Sequence, residues 1–393
     1  MLSQLVWILA VLPLAIWIYL VFARGKFWQL KSFDDDLNSP GILFGWPSVV
    51  AIIPARNEAR TIGPMIASLA GQDYPGKLSV IVVDDHSSDD TADRAIEAAK
   101  SAGSSDRVAV HSAAELPTGW TGKVWALNEG VRTAKEVLAQ ASLPEFFWFT
   151  DADIVHAPDT LRRLVFRAQN ETLGLASLMV LLQVKTFPER LLIPPFLYFF
   201  LMLYPPQWIA DPRNRTAGAA GGCVLLRRSA LEAIGGLASI QSEVIDDCAL
   251  ARAVKNTGAR ICMRLTRSSV SLRPYGTLEE IRDVIARTAF TQLLYSSLLL
   301  VGTLAGMLIT YISPIALLFT HSPFIRLLGF TTWLLMMISF LPTVRFYRLS
   351  PLWALLLPLA ALFYSYATWL SAARYWMGHG GQWKGRAQAP KAI

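Results

Sequence analysis

Three acidic pairs stand out as residues able to do chemistry: Asp84-Asp85, Asp151-Ala152-Asp153 and Asp246-Asp247. In an extended segment residues two apart point the same way, so the carboxylates of Asp151 and Asp153 share a side. Hard cations such as Mg²⁺ or Mn²⁺ prefer such oxygens, and a cation held there can bridge a diphosphate and stabilise its departure. The same residues also fit a capped strand-to-helix turn, with Pro158 opening the helix. Asp84 and Asp85 can accept from a base N–H, but Asp and Ser after a strand are equally turn and cap residues. Asp246 and Asp247 are adjacent, so at most one faces a substrate well. A carboxylate at that position can take the proton of an attacking hydroxyl, while the other caps a helix over Cys248 to Lys255.

The elements that must position these groups are legible between about Trp46 and Lys185. Short β-rich runs at Val49 to Ile53, Leu78 to Val83, Val108 to Val110 and Phe146 to Phe149 alternate with helical spacing over 60–71, 90–102 and 123–140. That alternation predicts βαβ units around a mainly parallel sheet, in which ligands bind beyond the C-terminal ends of strands. The residues at those ends are polar: Pro54-Ala55-Arg56-Asn57-Glu58 after the first, Asp84 to Asp89 after the second and Thr150 to Asp153 after the fourth. No GxGxxG follows the first strand, and the Gly119 to Lys123 segment lacks the first Gly and the final Ser/Thr of a phosphate loop, which disfavours dinucleotide oxidoreductases and P-loop NTPases. Gly221-Gly222 before Cys223 suits either close backbone approach to a ligand or a tight turn.

Composition places this domain beside a membrane. The chain is 53% hydrophobic and 17% charged, with 13 Trp, too apolar for an ordinary soluble enzyme. Leu5 to Phe22 is an uncharged run followed by Arg24, Lys26 and Lys31, which predicts an anchor whose C-terminal side faces the cytoplasm. Three further spans are expected near 293–320, 324–344 and 351–373. If all four segments cross, Arg374, Lys384, Arg386 and Lys391 end outside, against the positive-inside tendency; one segment is then re-entrant or the tail is an exception. Leu191 to Ala210 carries Pro194-Pro195, Pro205-Pro206 and many aromatics. The paired prolines speak against a long continuous helix, and the aromatics point to an interfacial element. The formal charge of +7, from 36 Lys+Arg against 29 Asp+Glu, is scattered without interleaved aromatics, so no nucleic-acid partner is expected. Cys223, Cys248 and Cys262 show no CxxC spacing, so neither a disulfide framework nor a zinc knuckle is indicated. His86, His111 and His156 read as polar loop residues.

The ordered motifs resemble the family 2 glycosyltransferases of the GT-A fold: P-x-x-N-E at Pro54 to Glu58, D-D-x-S-x-D-x-T at Asp84 to Thr91, G-K-x-x-A-x-N-x-G at Gly122 to Gly130, D-x-D at Asp151 to Asp153, and the acidic pair Asp246-Asp247. The resemblance implies an inverting transfer of a sugar from a nucleoside diphosphate. It implies donor contacts from Pro54, Asn57, Glu58, Asp84, Asp85, Lys123 and Asp151, Mg²⁺ or Mn²⁺ on Asp151 and Asp153, and Asp247 as base, with Asp246 beside it. The Q-x-x-R-W motif of processive members is absent; Arg287 in Arg287 to Gln292 is, with Gly221 and Gly222, a candidate for acceptor or phosphate contact. Across the whole chain the sequence is similar to bacterial hopene-associated glycosyltransferases, which implies a lipid acceptor, a link to hopanoid synthesis and a site in the bacterial inner membrane with the catalytic domain cytoplasmic. The expected architecture is an α/β GT-A (Rossmann-like) catalytic domain over 24–290, with 191–210 interfacial, between an anchor at 1–23 and helices at 291–375, then a basic tail at 376–393. Polyprenyl phosphate as acceptor, or a catalytically silent scaffold, are the alternatives. A transporter is disfavoured because 293–373 holds almost no ionisable residue.

Overall fold

The strand-forming runs are dense in Val, Ile and Phe, and a run without polar alternation forms a strand covered on both faces. In the computed structural model, which describes residues 2–35, 45–137, 143–378 and the short strands 382–383 and 386–387, these runs become β1 (Val49–Ala55), β2 (Leu78–Asp84), β3 (Val108–Ser112) and β4 (Phe146–Thr150). All residues of β1 and β4 are buried. Lys384, Lys391 and positions 138–140 of the expected third helix lie outside the described residues, as does most of the tail.

Four more strands follow: β5 (Ile154–His156), β6 (Leu173–Leu181), β7 (Cys223–Arg227) and β8 (Arg260–Ser271). They complete an eight-stranded sheet of order β3-β2-β1-β4-β7-β6-β8-β5. The half read from βαβ spacing is parallel throughout. The other half is mixed, because β7 runs antiparallel to both β4 and β6, and β5 antiparallel to β8, while β6 and β8 are parallel. The consequence for function lies in the register Thr150↔Cys223: the start of β7 arrives at the end of β4, so Gly221 and Gly222 come to the same sheet edge as the D-x-D.

The Gly122–Val137 helix lies against β1 and β2 at Gly130, where an added Cβ would stand 2.3 Å from Ile52 Cγ2 and 3.1 Å from Val83 Cγ2. Glycine is therefore demanded by close helix-to-sheet approach. Gly130→Ala is expected to destabilise the fold by about 1–3 kcal/mol, the usual cost of overpacking, read as a lowered midpoint in denaturant; an unchanged midpoint would show that the helix can lift off the sheet without cost.

The chain divides into two compact units. The sheet belongs to Lys31–Leu182 and Trp208–Arg273 with the last residues. The other unit gathers Met1–Leu30, Gln183–Gln207 and Pro274–Gly381, so residues 191–207 and 274–290 group with the apolar helices. Three segments there, Ser297–Leu317, Pro323–Phe346 and Pro351–Trp376, are long and apolar enough to cross a membrane. The N-terminal helix is Leu2–Phe22, with a described apolar run of Ala10–Phe22. Within Ser297–Leu317, Leu308–Ile312 is a π-helical turn, a widening that loosens the i→i−4 ladder. The Thr310 carbonyl accepts from Trp17 Nε1 at 2.9 Å.

One expectation is corrected. Phe187–Leu203 is a continuous α-helix through Pro194 and Pro195. Its start is fixed by a capping box, with Thr186 accepting from Glu189 N and Glu189 from Thr186 N. Both prolines, with Leu192, Leu197, Tyr198 and Phe199, are buried. Tyr198 bonds Ser339 at 2.7 Å, and Tyr364 Oη donates to the Leu192 carbonyl at 2.9 Å. Burial of the aromatic face outweighs the local cost of two missing donors, since packing rather than propensity supplies most helix stability in a folded chain.

Candidate active site

The sheet register sets the floor of the site, and two loops complete it. Thr121, just before the Gly122–Val137 helix, donates from N to the Gln241 carbonyl at 2.8 Å and from its hydroxyl to the Glu243 carbonyl at 3.4 Å. That tether brings the 241–245 loop, and the Asp246–Asn256 helix after it, next to Lys123. The Lys123 ammonium then meets Asp151 Oδ1 at 2.7 Å and Asp246 Oδ2 at 3.8 Å. Asp247 accepts from Gly221 N at 2.8 Å through one oxygen and from Cys248 N at 2.7 Å through the other. A Cβ on Gly221 would lie 3.1 Å from Lys123 Nζ and 3.3 Å from Asp247 Oδ2, so a side chain here would press both groups aside by a few tenths of an ångström. Pro54, Lys123, Asp151, Gly221, Asp246 and Asp247 line one crevice, walled by Leu127, Leu237, Ile240 and Leu250.

The electrostatics follow from crowding. Burial alone would depress the Lys123 ammonium, but Asp151 and Asp246 reverse this and hold its pKa above the ordinary lysine value. Burial, reinforced by the charge of Asp246, pushes the Asp247 carboxyl up to about 6, against the opposing pull of Lys123 and of its two backbone donors. Asp153 is also raised, first by burial and then by Asp151, although Ser271 Oγ donates to it at 2.6 Å. One ammonium thus compensates several carboxylates.

Asn57, Glu58, Asp84 and Asp85 form a second group at the ends of β1 and β2. Asn57 holds a left-handed backbone, φ 53°; its Oδ1 accepts from Ser88 N at 2.8 Å and its N donates to Ser87 Oγ at 3.0 Å. Glu58 N donates to Thr91 Oγ1 at 2.8 Å, and Asp84 accepts from the Ser87 hydroxyl. Asp85 is fully buried, 3.9 Å from the Arg56 guanidinium. Arg56 also donates to the Asp85 and His86 carbonyls at 2.5 and 3.1 Å. The P-x-x-N-E and D-D-x-S-x-D-x-T segments are therefore laced to each other, which fixes the edge where a ligand would meet them. None of these four lines the crevice around Lys123. Gly222 faces Val180. Arg287 is exposed on the Leu278–Gln292 helix of the helical unit.

Sequence reasoning missed two positioning residues. His156 lies in β5, not a loop, and is buried; its ring bridges Thr150 Oγ1 at 2.9 Å and Ser269 Oγ at 2.8 Å. Burial lowers its pKa to about 3, so it is a neutral strut spanning the D-x-D turn. The signal was the β-branched pair Ile154-Val155 before it, too short to read as a strand. His111, likewise, stands in β3. Arg56, which ties β1 to Asp85, lay in a quoted motif but has no distinguishing spacing.

The residues fit a hard divalent cation. Asp151 and Asp153 supply oxygen donors, and the Asp153 carboxyl is raised first by burial and then by the charge of Asp151, the second part being what a cation would relieve. Among the described residues no three His, Cys, Asp or Glu side chains converge as a complete cage. Such partial sets are what Mg²⁺ accepts when substrate phosphates and water supply the rest.

Comparison with known proteins agrees with this geometry. The family model described as Glycosyl transferase family 2 matches residues 50–235. An N-acetylglucosaminyltransferase of Bradyrhizobium elkanii is 32% identical over 147 residues, covering 37% of this chain and 72% of that protein. Another from Mesorhizobium japonicum is 32% identical over 197 residues, covering 47% of this chain and 41% of that one, so the chain spans less than half the length of this relative. A mannosyltransferase from Pyrobaculum calidifontis, solved with GDP-mannose and Mn²⁺, shares the fold at a TM-score of 0.52 and 20% identity, over 93% of this chain and 96% of that one.

Proposed function

Because this chain belongs to glycosyl transferase family 2, we propose that it is a membrane-bound inverting enzyme that moves a sugar from a nucleoside diphosphate to a lipid hydroxyl. The observation that carries this reading is the convergence of Lys123, Asp151, Asp246 and Asp247 on one crevice at the C-terminal edge of the sheet. Asp151 and Asp153 would hold Mg²⁺ or Mn²⁺, which when bound supplies charge for the departing diphosphate. Lys123 adds a fixed positive charge beside Asp151. Asp247, with a pKa raised toward neutrality and its oxygens oriented by Gly221 N and Cys248 N, takes the proton of the acceptor hydroxyl as that oxygen attacks the anomeric carbon from the face opposite the leaving group. Asn57, Glu58, Asp84 and Asp85 form the nucleoside end, with Asp85 held by Arg56.

A lipid acceptor is supported by the apolar helices carried in the same polypeptide. The resemblance to hopene-associated enzymes makes a hopanoid precursor the first acceptor to try and supports a bacterial inner membrane as the location to test. The names of the rhizobial relatives make an N-acetylglucosamine donor the first sugar to try. The test is a panel of UDP- and GDP-sugars given to the detergent-solubilised protein with membrane lipid extract. One donor is expected to give a labelled lipid product in the presence of Mn²⁺ or Mg²⁺; absence of any lipid or water-soluble product across the panel would favour a silent scaffold.

A further inference from the structure

The Pro351–Trp376 segment has the length and hydropathy of a span, yet its contacts bring both of its ends to one side of the helical unit. Ser297–Leu317 and Pro323–Phe346 fold back on each other across residues 318–322: a Cβ on Gly329 would sit 2.7 Å from the Pro314 carbonyl, and Leu317 and Ile325 share one apolar cluster. Phe346 therefore returns to the side from which Ser297 starts. Only residues 347–350 separate it from Pro351, too few to cross anything. At the other end, Ala372 packs with Phe290 and Leu300, Tyr375 stacks on Tyr295 at 4.6 Å, and Arg374 reaches Asp283 at 2.7 Å. Tyr295 and Leu300 flank Ser297, so the C-terminal end lies on the starting side too. The segment is a 3₁₀ stretch over Pro351–Leu356 that runs into an α-helix over Leu357–Trp376, and a segment that begins and ends on one side has not crossed.

We propose that Pro351–Trp376 lies in the plane of the membrane interface, with its outer stripe against lipid headgroups and the upper acyl chains. This rests on the reading of the unit as membrane-embedded. The stripe runs along one helix face at spacings of three and four: Leu359, Leu362, Tyr366 and Trp369 are exposed, while Leu357, Ala360, Ala361, Tyr364 and Ala367 on the opposite face are buried. A stripe ending in Tyr366, Trp369 and Trp376 has the amphipathic aromatics that settle at headgroup depth. Charge agrees. The N-terminal helix is antiparallel to Ser297–Leu317, through Trp17 on Thr310 and Ala10 beside Leu317, so Arg24 and Lys26 share a side with Arg345, Arg348 and Arg374. Only Arg326 falls at the opposite end among the described basic residues of these helices. Arg374, which four crossings would put at the opposite end, then shares the basic side as the positive-inside tendency prefers, and anionic headgroups are the natural partner for that basic rim.

Two measurements on the full-length protein in phosphatidylglycerol-containing vesicles decide it. Met377→Cys, Ser350→Cys and His321→Cys are labelled with a membrane-impermeant maleimide; the unsubstituted protein, whose three cysteines are buried, supplies the blank. Met377→Cys should label from the same face as Ser350→Cys and lose labelling from the face that exposes His321→Cys; labelling with His321→Cys overturns the proposal. Spin labels at Leu359→Cys, Leu362→Cys and Trp369→Cys should report one common shallow depth, with Val301→Cys deeper. A profile that deepens from one end of the helix toward its middle overturns the in-plane assignment, and a water-exposed Val301→Cys overturns the membrane reading beneath it.

Discussion

Asp247→Asn is expected to lower transfer by about 10²- to 10⁴-fold, the usual contribution of a general base, while leaving donor affinity nearly unchanged. The substitution keeps the shape of the side chain and removes its basicity. It also changes one hydrogen bond, because Asp247 accepts from both Gly221 N and Cys248 N and an amide offers a single acceptor oxygen. A thermal melt run alongside separates that structural cost from the chemical one. Asp246→Asn is the companion: its carboxylate is directed to Lys123, so its loss should weaken the donor end more than the proton transfer. Retained turnover in Asp247→Asn together with lost turnover in Asp246→Asn would move the base by one residue. The unsubstituted enzyme offers an independent readout. A base must be ionised to accept a proton, and the Asp247 carboxyl is raised to about 6. Activity should therefore be full above that pH and fall tenfold per unit below it, as the carboxyl gains its proton. An acid limb near the ordinary aspartate range would mean that the group doing the work is not this buried one.

What could be read from the chain was local. Val49 to Ile53 and Leu78 to Val83 are strands because nothing polar interrupts them, and the residues after them are polar because a sheet edge faces water. Each acidic pair was visible where it stands. What joins the pairs was not, because it depends on registers between distant segments. Nothing near Cys223 announces that it pairs with Thr150 in the opposite direction, yet this places Gly221 against Asp247. Lys123 was assigned to the nucleotide by resemblance alone; its 2.7 Å contact with Asp151 depends on how its helix lies on the sheet, and its approach to Asp246 on the Gln241 tether. His156 was misread because a three-residue strand is shorter than any reliable alternation. The proline pair was misread because local rules count the donors lost and not the aromatic packing gained. In the helical unit length and hydropathy identify three candidate segments, but whether a segment crosses is decided by where its two ends are tied, and only contacts hold that information.

Replacing both Asp151 and Asp153 by Ala should separate the metal from the rest of the site. Donor binding by the unsubstituted protein is expected to strengthen with Mn²⁺ and to collapse in a chelator. In the double variant the metal-dependent part should disappear, a weakening of at least about 100-fold, since even residues that merely orient metal ligands carry 10- to 100-fold. The variant should not lose all affinity. Asp151 is the nearest of the carboxylates that neutralise Lys123, so its removal leaves that ammonium with Asp246 and Asp247 and more positive field toward a diphosphate. Residual binding should therefore be insensitive to chelator and should fall with added salt, as a screened charge interaction does. Calorimetric titration of a nucleoside diphosphate with and without Mn²⁺ reads all of this directly. Metal-dependent binding of undiminished strength in the double variant would show that the cation is held elsewhere. Loss of all binding, with or without metal, would show instead that Asp151 serves chiefly to aim Lys123, and that the ammonium is the principal diphosphate contact.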